Sequence, residues 1–279
     1  MAVAFPAIGQ LIINSPTTLW EPILPASTNQ ADYFNDEQTG RPESDLVGNA
    51  THPAAYFNFD NARTPSLTDG TLGFRVRVGS DLPQAGTFDS VLFIGIDGNN
   101  DGALDLFLGA DNKGGGTPAI KIWDVGAGLN NSPNTTTVAT PTSQKVYSET
   151  SLNFDFSQVS LTIEPTATVF DLDADGSTDR FISFSVPFAD VVSEMSRLGG
   201  IALDENSSLR YVVATSTQAN SLNEDFNGIP MNFNGALTWE QLGGMSAAWQ
   251  VPEPGACMLS VLGLVVLAGR RLFLRRASR

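Results

Sequence analysis

At 279 residues the chain has room for one large domain or two small ones, each able to bury a normal core. Net charge is −15 and unevenly spread: ten Lys and Arg face 29 Asp and Glu before Val251, while five Arg and one Glu follow it. The acidic part carries no Lys/Arg cluster of the kind that phosphate binding needs, so no nucleic-acid partner is expected.

Residues 1–30 form an N-terminal segment. MAVAFPAIGQLIINSP has no basic start and no apolar run of seven residues, because Pro6, Gly9 and Gln10 interrupt it. The only histidine, His52, lies in GNATHPAA, which reads as an exposed loop. A Ser-His-Asp triad would have to use that one residue, and its geometric demands make this a poor candidate. The only cysteine is Cys257, so neither an intrachain disulfide nor a Cys-based zinc site is open to the chain.

From 31 to 217 the sequence reads as a mainly β body, a β-sandwich or jelly roll. Short alternating or β-branched runs recur between Gly, Asn, Asp and Pro clusters. The expected strands are Ala55–Asp60, Leu72–Val78, Ser90–Ile96, Ala103–Leu108, Ala119–Asp124, Lys145–Ser148, Val159–Ile163, Thr166–Phe170, Phe181–Val186 and Leu209–Ala214. GFRVRVG alternates strictly, which predicts one buried and one wet face. VLFIGI is apolar throughout and predicts a central strand. NNSPNTTTVATPTS, residues 130–143, predicts a long loop. One helix is expected: FADVVSEMSRLGG starts after Pro187, stops at Gly199, and puts Val191, Val192, Met195 and Leu198 on one face. Residues 218–250 are rich in Asn and Gly; part is expected to pack through Trp239, and the rest to act as a tether.

Within the body one chemical pattern occurs twice. DGNNDGALD presents Asp97, Asn99, Asp101, Gly102 and Asp105; DLDADGSTD presents Asp171, Asp173, Asp175, Gly176 and Asp179. Calcium takes six to eight oxygens at about 2.3–2.6 Å. Acidic or amide side chains at positions one, three, five and nine converge when the chain curls. The glycine at six permits the curl, and the carbonyl at seven, Ala103 or Ser177, adds a ligand. Neither copy is an EF-hand, since Leu108 and Ile182 stand where a bidentate Glu would be. Both copies lie between expected strands, and they resemble the strand–loop–strand calcium hairpins of integrin-type repeats and other extracellular β-proteins. The competing reading is that Asp, Asn and Gly simply make good hairpin turns; two copies at identical spacing favour a structural calcium ion.

Other signals are weaker. GADNKGGG lacks the Gly-Lys-Ser/Thr of a phosphate loop, and no HExxH or GxSxG pattern occurs. Paired acids of a glycan-cleaving site are set in space, which spacing alone does not reveal. Trp20, Trp123, Trp239 and Trp249 either pack in the core or build a sugar-stacking platform, packing being the commoner use.

The chain ends VPEPGACMLSVLGLVVLAGRRLFLRRASR. Gly255 to Gly269 is a run of fifteen uncharged, mostly apolar residues, about 22 Å long as a helix against a bilayer core of about 30 Å. Snorkelling of Arg270 and Arg271 lets the span extend to Leu274. Arg270, Arg271, Arg275 and Arg276, with Arg279, place the basic flank on the cytoplasmic side. The triplet Pro252-Glu253-Pro254, the apolar run and the Arg cluster, in that order across residues 251–279, resemble the PEP-CTERM sorting signal of Gram-negative bacteria. That resemblance implies export, a transient single-pass membrane stage, and recognition of the Pro-Glu-Pro element by exosortase, a membrane-embedded cysteine protease. It also implies an export signal, which is expected upstream of Met1. The sequence therefore predicts a non-enzymatic cell-surface or matrix protein stiffened by calcium. An exopolysaccharide-binding module and a glycan-active enzyme stand as the alternatives.

Overall fold

β-Branched and aromatic residues at period two set the strands. The computed structural model describes residues 11–26, 31–61, 64, 66–81, 86–139 and 145–250. The sorting motif, the apolar run and the arginines of 251–279 lie outside the described residues, as do residues 1–10 and 140–144. In chain order the elements are β1 (Glu21–Pro22), β2 (Ala55–Asp60), β3 (Thr71–Val78), β4 (Val91–Asp97), β5 (Leu106–Asp111), β6 (Ala119–Asp124), β7 (Lys145–Ser148), β8 (Phe154–Gln158), β9 (Arg180–Pro187), α1 (Phe188–Gly199), β10 (Ser208–Ser216), β11 (Asp225–Phe226), α2 (Trp239–Leu242) and β12 (Trp249–Gln250). The fold is mainly β, built as two antiparallel sheets. One has the order β1-β2-β3-β9-β8; the other runs β11-β10-β4-β5-β6-β7, with β12 paired to β10.

The sheets share a central core. Phe57, Phe74, Val76, Ile182 and Phe184 of the first meet Ile94, Leu108, Ile122, Tyr211 and Val213 of the second. Helix α1 closes one end through Phe188, Val191 and Met195, with Val192 and Leu198 partly buried beside them. It stops where Gly200 takes φ +66° and returns its N–H to the carbonyls of Met195 and Ser196. β4 lies inside its sheet between β10 and β5, and all its residues are buried, as its apolar run predicts.

Several sequence expectations change. First, the outer faces of both sheets are covered. Arg75 and Arg77, expected to face water from the alternating strand β3, are fully buried. The segments 11–20 and 159–170 lie over them, closing a second core of Leu11, Ile13, Trp20, Tyr56, Val159, Ile163, Ala167 and Phe181. Alternation reported two chemically different faces, and both became buried because the guanidinium groups found partners. Arg75 donates to Ile13 O at 2.7 Å and to Ser15 O at 2.6 Å, and stacks 4.5 Å over the Trp20 ring. Second, Val159–Ile163 and Thr166–Phe170 are turns, whereas Phe154–Gln158, not foreseen, is β8. Val159, Ile163 and Ala167 pack from a covering loop, and periodicity does not separate such a loop from a strand. The expected strand Ala103–Leu108 begins three residues later, at Leu106. Third, residues 218–250 are folded and do not hang as a tether: Leu222, Phe226, Ile229, Trp239 and Met245 cover the outer face of the second sheet around Phe93, Phe107 and Trp123.

His52 is also inside, with only 3% of its surface exposed, and its Nδ1 lies 3.0 Å from Glu164 Oε1. Trp20, Trp123 and Trp239 are buried and Trp249 is half-buried, so these rings pack the three cores and present no stacking platform. Among the described residues, no helix is long and apolar enough to cross a membrane.

Candidate metal centre

The two acidic loops start from the same backbone plan. At position four each takes a left-handed conformation, Asn100 at φ +61° and Ala174 at φ +60°. At position six the glycine does so too, Gly102 at +89° and Gly176 at +93°. Position one then accepts the N–H of position six: Gly102 N–H donates to Asp97 Oδ2 and Gly176 N–H to Asp171 Oδ2, both at 3.0 Å. Position five caps position seven: Ala103 N–H reaches Asp101 Oδ1 at 2.9 Å, and Ser177 N–H reaches Asp175 Oδ1 at 2.6 Å. The residues expected to lend carbonyls are thus held by their N–H groups.

Beyond this shared turn the loops diverge. In 97–105, joining β4 to β5 as a hairpin, the carboxylates turn inward to the loop's own backbone. Asp97 Oδ1 accepts from Asp101 N–H at 3.2 Å, Asn99 Oδ1 from the same N–H at 2.9 Å, and Asp105 Oδ2 from Gly98 N–H at 2.8 Å. Arg210 stands 3.6 Å from Asp97 Oδ2. Burial raises Asp97, and lifts Asp105 to about 6 with help from the charges on Asp101 and Asp97. Asp97, Asp101 and Asp105 are not among the acidic groups whose oxygens gather closely enough to share an ion.

In 171–179, at the end of the 159–179 connection into β9, Asp171, Asp173 and Asp179 each bring one oxygen within 4.8 Å of the others. Oxygens around one calcium ion at 2.3–2.6 Å fall no further apart than about 5 Å. Asp171 Oδ1 and Asp173 Oδ2 are buried with no hydrogen-bond donor among the described residues. Gly79, at the end of β3, admits Asp173: a Cβ there would stand 2.7 Å from Asp173 Oδ2. Burial, then the neighbouring Asp171 carboxylate and the charge on Asp175, push Asp173 up to about 7. Asp175 is exposed and outside this group; it is spent on the turn.

Asp179 differs from its two neighbours. Fully buried, it accepts from Arg77 Nε at 2.6 Å and from the N–H of Leu172 at 3.2 Å. Burial raises it to about 6 against the pull of Arg77. Arg77 also donates to Glu164 Oε2 at 2.9 Å, and Glu164 faces His52. The loop is therefore anchored to the second core through a buried chain, His52–Glu164–Arg77–Asp179, that no spacing rule reveals. No family model, curated protein or solved structure matches this chain.

A second gathering of acids was not foreseen. Asp36, Asp45 and Asp225 bring oxygens within 4.8 Å of one another, although the first two lie far in sequence from the third. Burial raises Asp45 to about 8 and holds Asp32 and Asp225 well above the usual carboxylate range. The only available signal was the run of acids at Asp32, Asp36, Glu37, Glu43 and Asp45, which resembles any solvated loop.

Proposed function

We propose that this chain is an exported, non-enzymatic surface or extracellular-matrix protein whose β-sandwich body is pinned by calcium at the loop 171–179. Its delivery follows from the tail: Gly255–Gly269 as a single membrane span, Pro252-Glu253-Pro254 as the element read by exosortase, and Arg270, Arg271, Arg275 and Arg276 on the cytoplasmic side.

The observation that carries the reading is the convergence of Asp171, Asp173 and Asp179 with two buried oxygens left undonated. An oxygen-only set suits a hard cation such as calcium. Arg77 already neutralises much of Asp179, so affinity on the order of 10⁻⁴ to 10⁻³ M, as in extracellular modules, is expected. Such a site fills where calcium is millimolar, which agrees with a body facing outward. Binding of exopolysaccharide through tryptophan stacking is disfavoured, because Trp20, Trp123 and Trp239 are buried.

Two measurements test the reading. In host cells with exosortase the native chain should lose mass from its C-terminal side, and in cells without the protease it should stay intact in the membrane fraction. Protease added outside spheroplasts should digest the body. Equal tail mass in both strains, together with a protected body, would end this proposal.

A further inference from the structure

A cavity of about 210 Å³ opens beside β11, where the chain around Gln38, Pro133, Leu222 and Met231 converges. Leu222 and Phe226 give it an apolar wall, and Phe233 stands edge-on to Phe226 with ring centroids 5.3 Å apart. Met231, 38% exposed, lies at the rim, its N–H held by Asp36 Oδ2 at 2.8 Å. Pockets for drug-sized ligands run to about 300–1,000 Å³, so this one suits a ligand the size of a side chain.

Glu224 lines the same cavity and is fully buried. Its N–H donates to Thr215 O and its carbonyl accepts from Gln38 N–H, both at 3.1 Å. Oε2 accepts from the Thr39 N–H at 3.2 Å and from the Thr39 hydroxyl at 2.6 Å. Oε1 is the polar atom left over, buried and without a hydrogen-bond donor among the described residues. With every other polar atom of Glu224 engaged, Oε1 is what this residue offers to the cavity. Among the described residues no Lys, Arg or His forms an ion pair with Glu224. Arg41, two residues beyond Thr39, turns instead to Asp89 at 2.9 Å. A buried carboxylate oxygen with neither donor nor counter-ion is unfavourable until a cationic donor reaches it.

The surroundings narrow the chemistry of that donor. With Oε2 already taken, a guanidinium could not make its two parallel bonds, which favours the point charge of an ammonium. The apolar wall suits methylene groups, and aromatic rings tolerate a cation beside them. The acidic body, 29 Asp and Glu against ten Lys and Arg before Val251, draws cations to the mouth. We propose that this cavity binds a primary alkylammonium group, from a free amine or a lysine side chain, with Glu224 Oε1 as its acceptor. The methylene chain lies against Leu222, Phe226, Phe233 and Met231. The site shares no residue with the loop 171–179 and stands whether or not that loop holds calcium.

The test is NMR of the full chain in detergent micelles with carbon-13 methionine methyls; of its five methionines, Met231 reports on the cavity. The compound 5-amino-1-pentanol should shift the Met231 signal saturably. In 1,5-pentanediol a hydroxyl replaces the ammonium, and it should bind about tenfold more weakly or worse. So should methylammonium, which lacks the methylenes. Glu224→Gln keeps an acceptor for Thr39 and should weaken 5-amino-1-pentanol about tenfold or more. Glu149→Gln, an equal change of charge at an exposed position, should leave it unaltered. If Glu224→Gln does not fold, the ligand series on the wild type carries the test alone. Nα-acetyl-lysine methylamide separates the sources. Affinity comparable to that of 5-amino-1-pentanol supports the site with a lysine of a partner chain as its occupant, and much weaker affinity supports it with a free amine. An unmoved Met231 signal, equal affinity for the diol, or full affinity in folded Glu224→Gln would overturn the proposal.

Discussion

The loops 97–105 and 171–179 share a spacing, a left-handed residue at position four and a glycine at position six, yet they hold their acids differently. In the first, every carboxylate is consumed by the turn or by Arg210. In the second, the turn uses one oxygen of Asp171 and leaves its mate, with Asp173 Oδ2, buried and undonated beside Asp179. The difference comes from the support. The first loop closes a regular hairpin, Ile96 opposite Leu106, whose own backbone N–H groups face inward. The second ends a long covering connection and leans on β3, where Gly79 makes room and Arg77 fixes Asp179. A shared acidic pattern thus specifies a turn, and the neighbouring strand decides whether its oxygens gather.

The largest expected effect tests the support. Arg77→Met strands Asp179 and Glu164 in the interior and should cost about 3–5 kcal/mol in denaturant unfolding. Arg210→Met, whose partner Glu240 is exposed and whose second partner Asp97 is 3.6 Å away, should cost about 1 kcal/mol or less. Equal losses would erase the contrast. Calcium comes next. At ten times the dissociation constant, the loop 171–179 should add about 1.4 kcal/mol of stability, read as a rise in Tm. Asp173→Asn should remove that increment, and Asp101→Asn should leave it intact. A Tm indifferent to millimolar calcium, or one made indifferent by Asp101→Asn, would reverse the assignment.

Backbone strain gives a smaller effect. Ala174 occupies a left-handed conformation that suits Gly or Asn, so Ala174→Gly should stabilise the calcium-free protein by about 0.5–1 kcal/mol. Asn100→Gly, replacing a residue already at home there, should change stability by only a few tenths of that order. The first loop also carries a pH effect. Asp105 is raised from 3.8 to about 6, so the folded chain holds its proton more tightly than the unfolded one. Its contribution should favour folding most at low pH and decline as pH rises from about 4 to about 6, with no further change above. Asp105→Asn should flatten that part of the stability profile; an unchanged profile would remove Asp105 as its source.

Much of the architecture was readable. Ala55–Asp60, Ala119–Asp124 and Lys145–Ser148 coincide with β2, β6 and β7, and the helix after Pro187 spans α1 to Gly199. Each is a local pattern bounded by breakers, which is what periodicity detects. Segment 159–170 misled because Val159, Ile163 and Ala167 face an outer core that spacing does not encode, while Leu161, Val169 and Phe170 stay exposed. His52 misled for a related reason: GNATHPAA is a loop, but Glu164 and Arg77 draw it under the covering segment.

The sequence by itself determined the mainly β fold, the helix at its end and the turn geometry of both acidic loops. These follow from residue size, chirality and charge acting over a few neighbours. Only the tertiary structure decided which acids meet. Asp36, Asp45 and Asp225 come together because β11 returns to the corner under segment 31–47, and Asp179 is held by an arginine 102 residues away in the chain, on the strand that neighbours β9 in the sheet. Electrostatic interaction and burial act through space, so no spacing along the chain could have announced those partners.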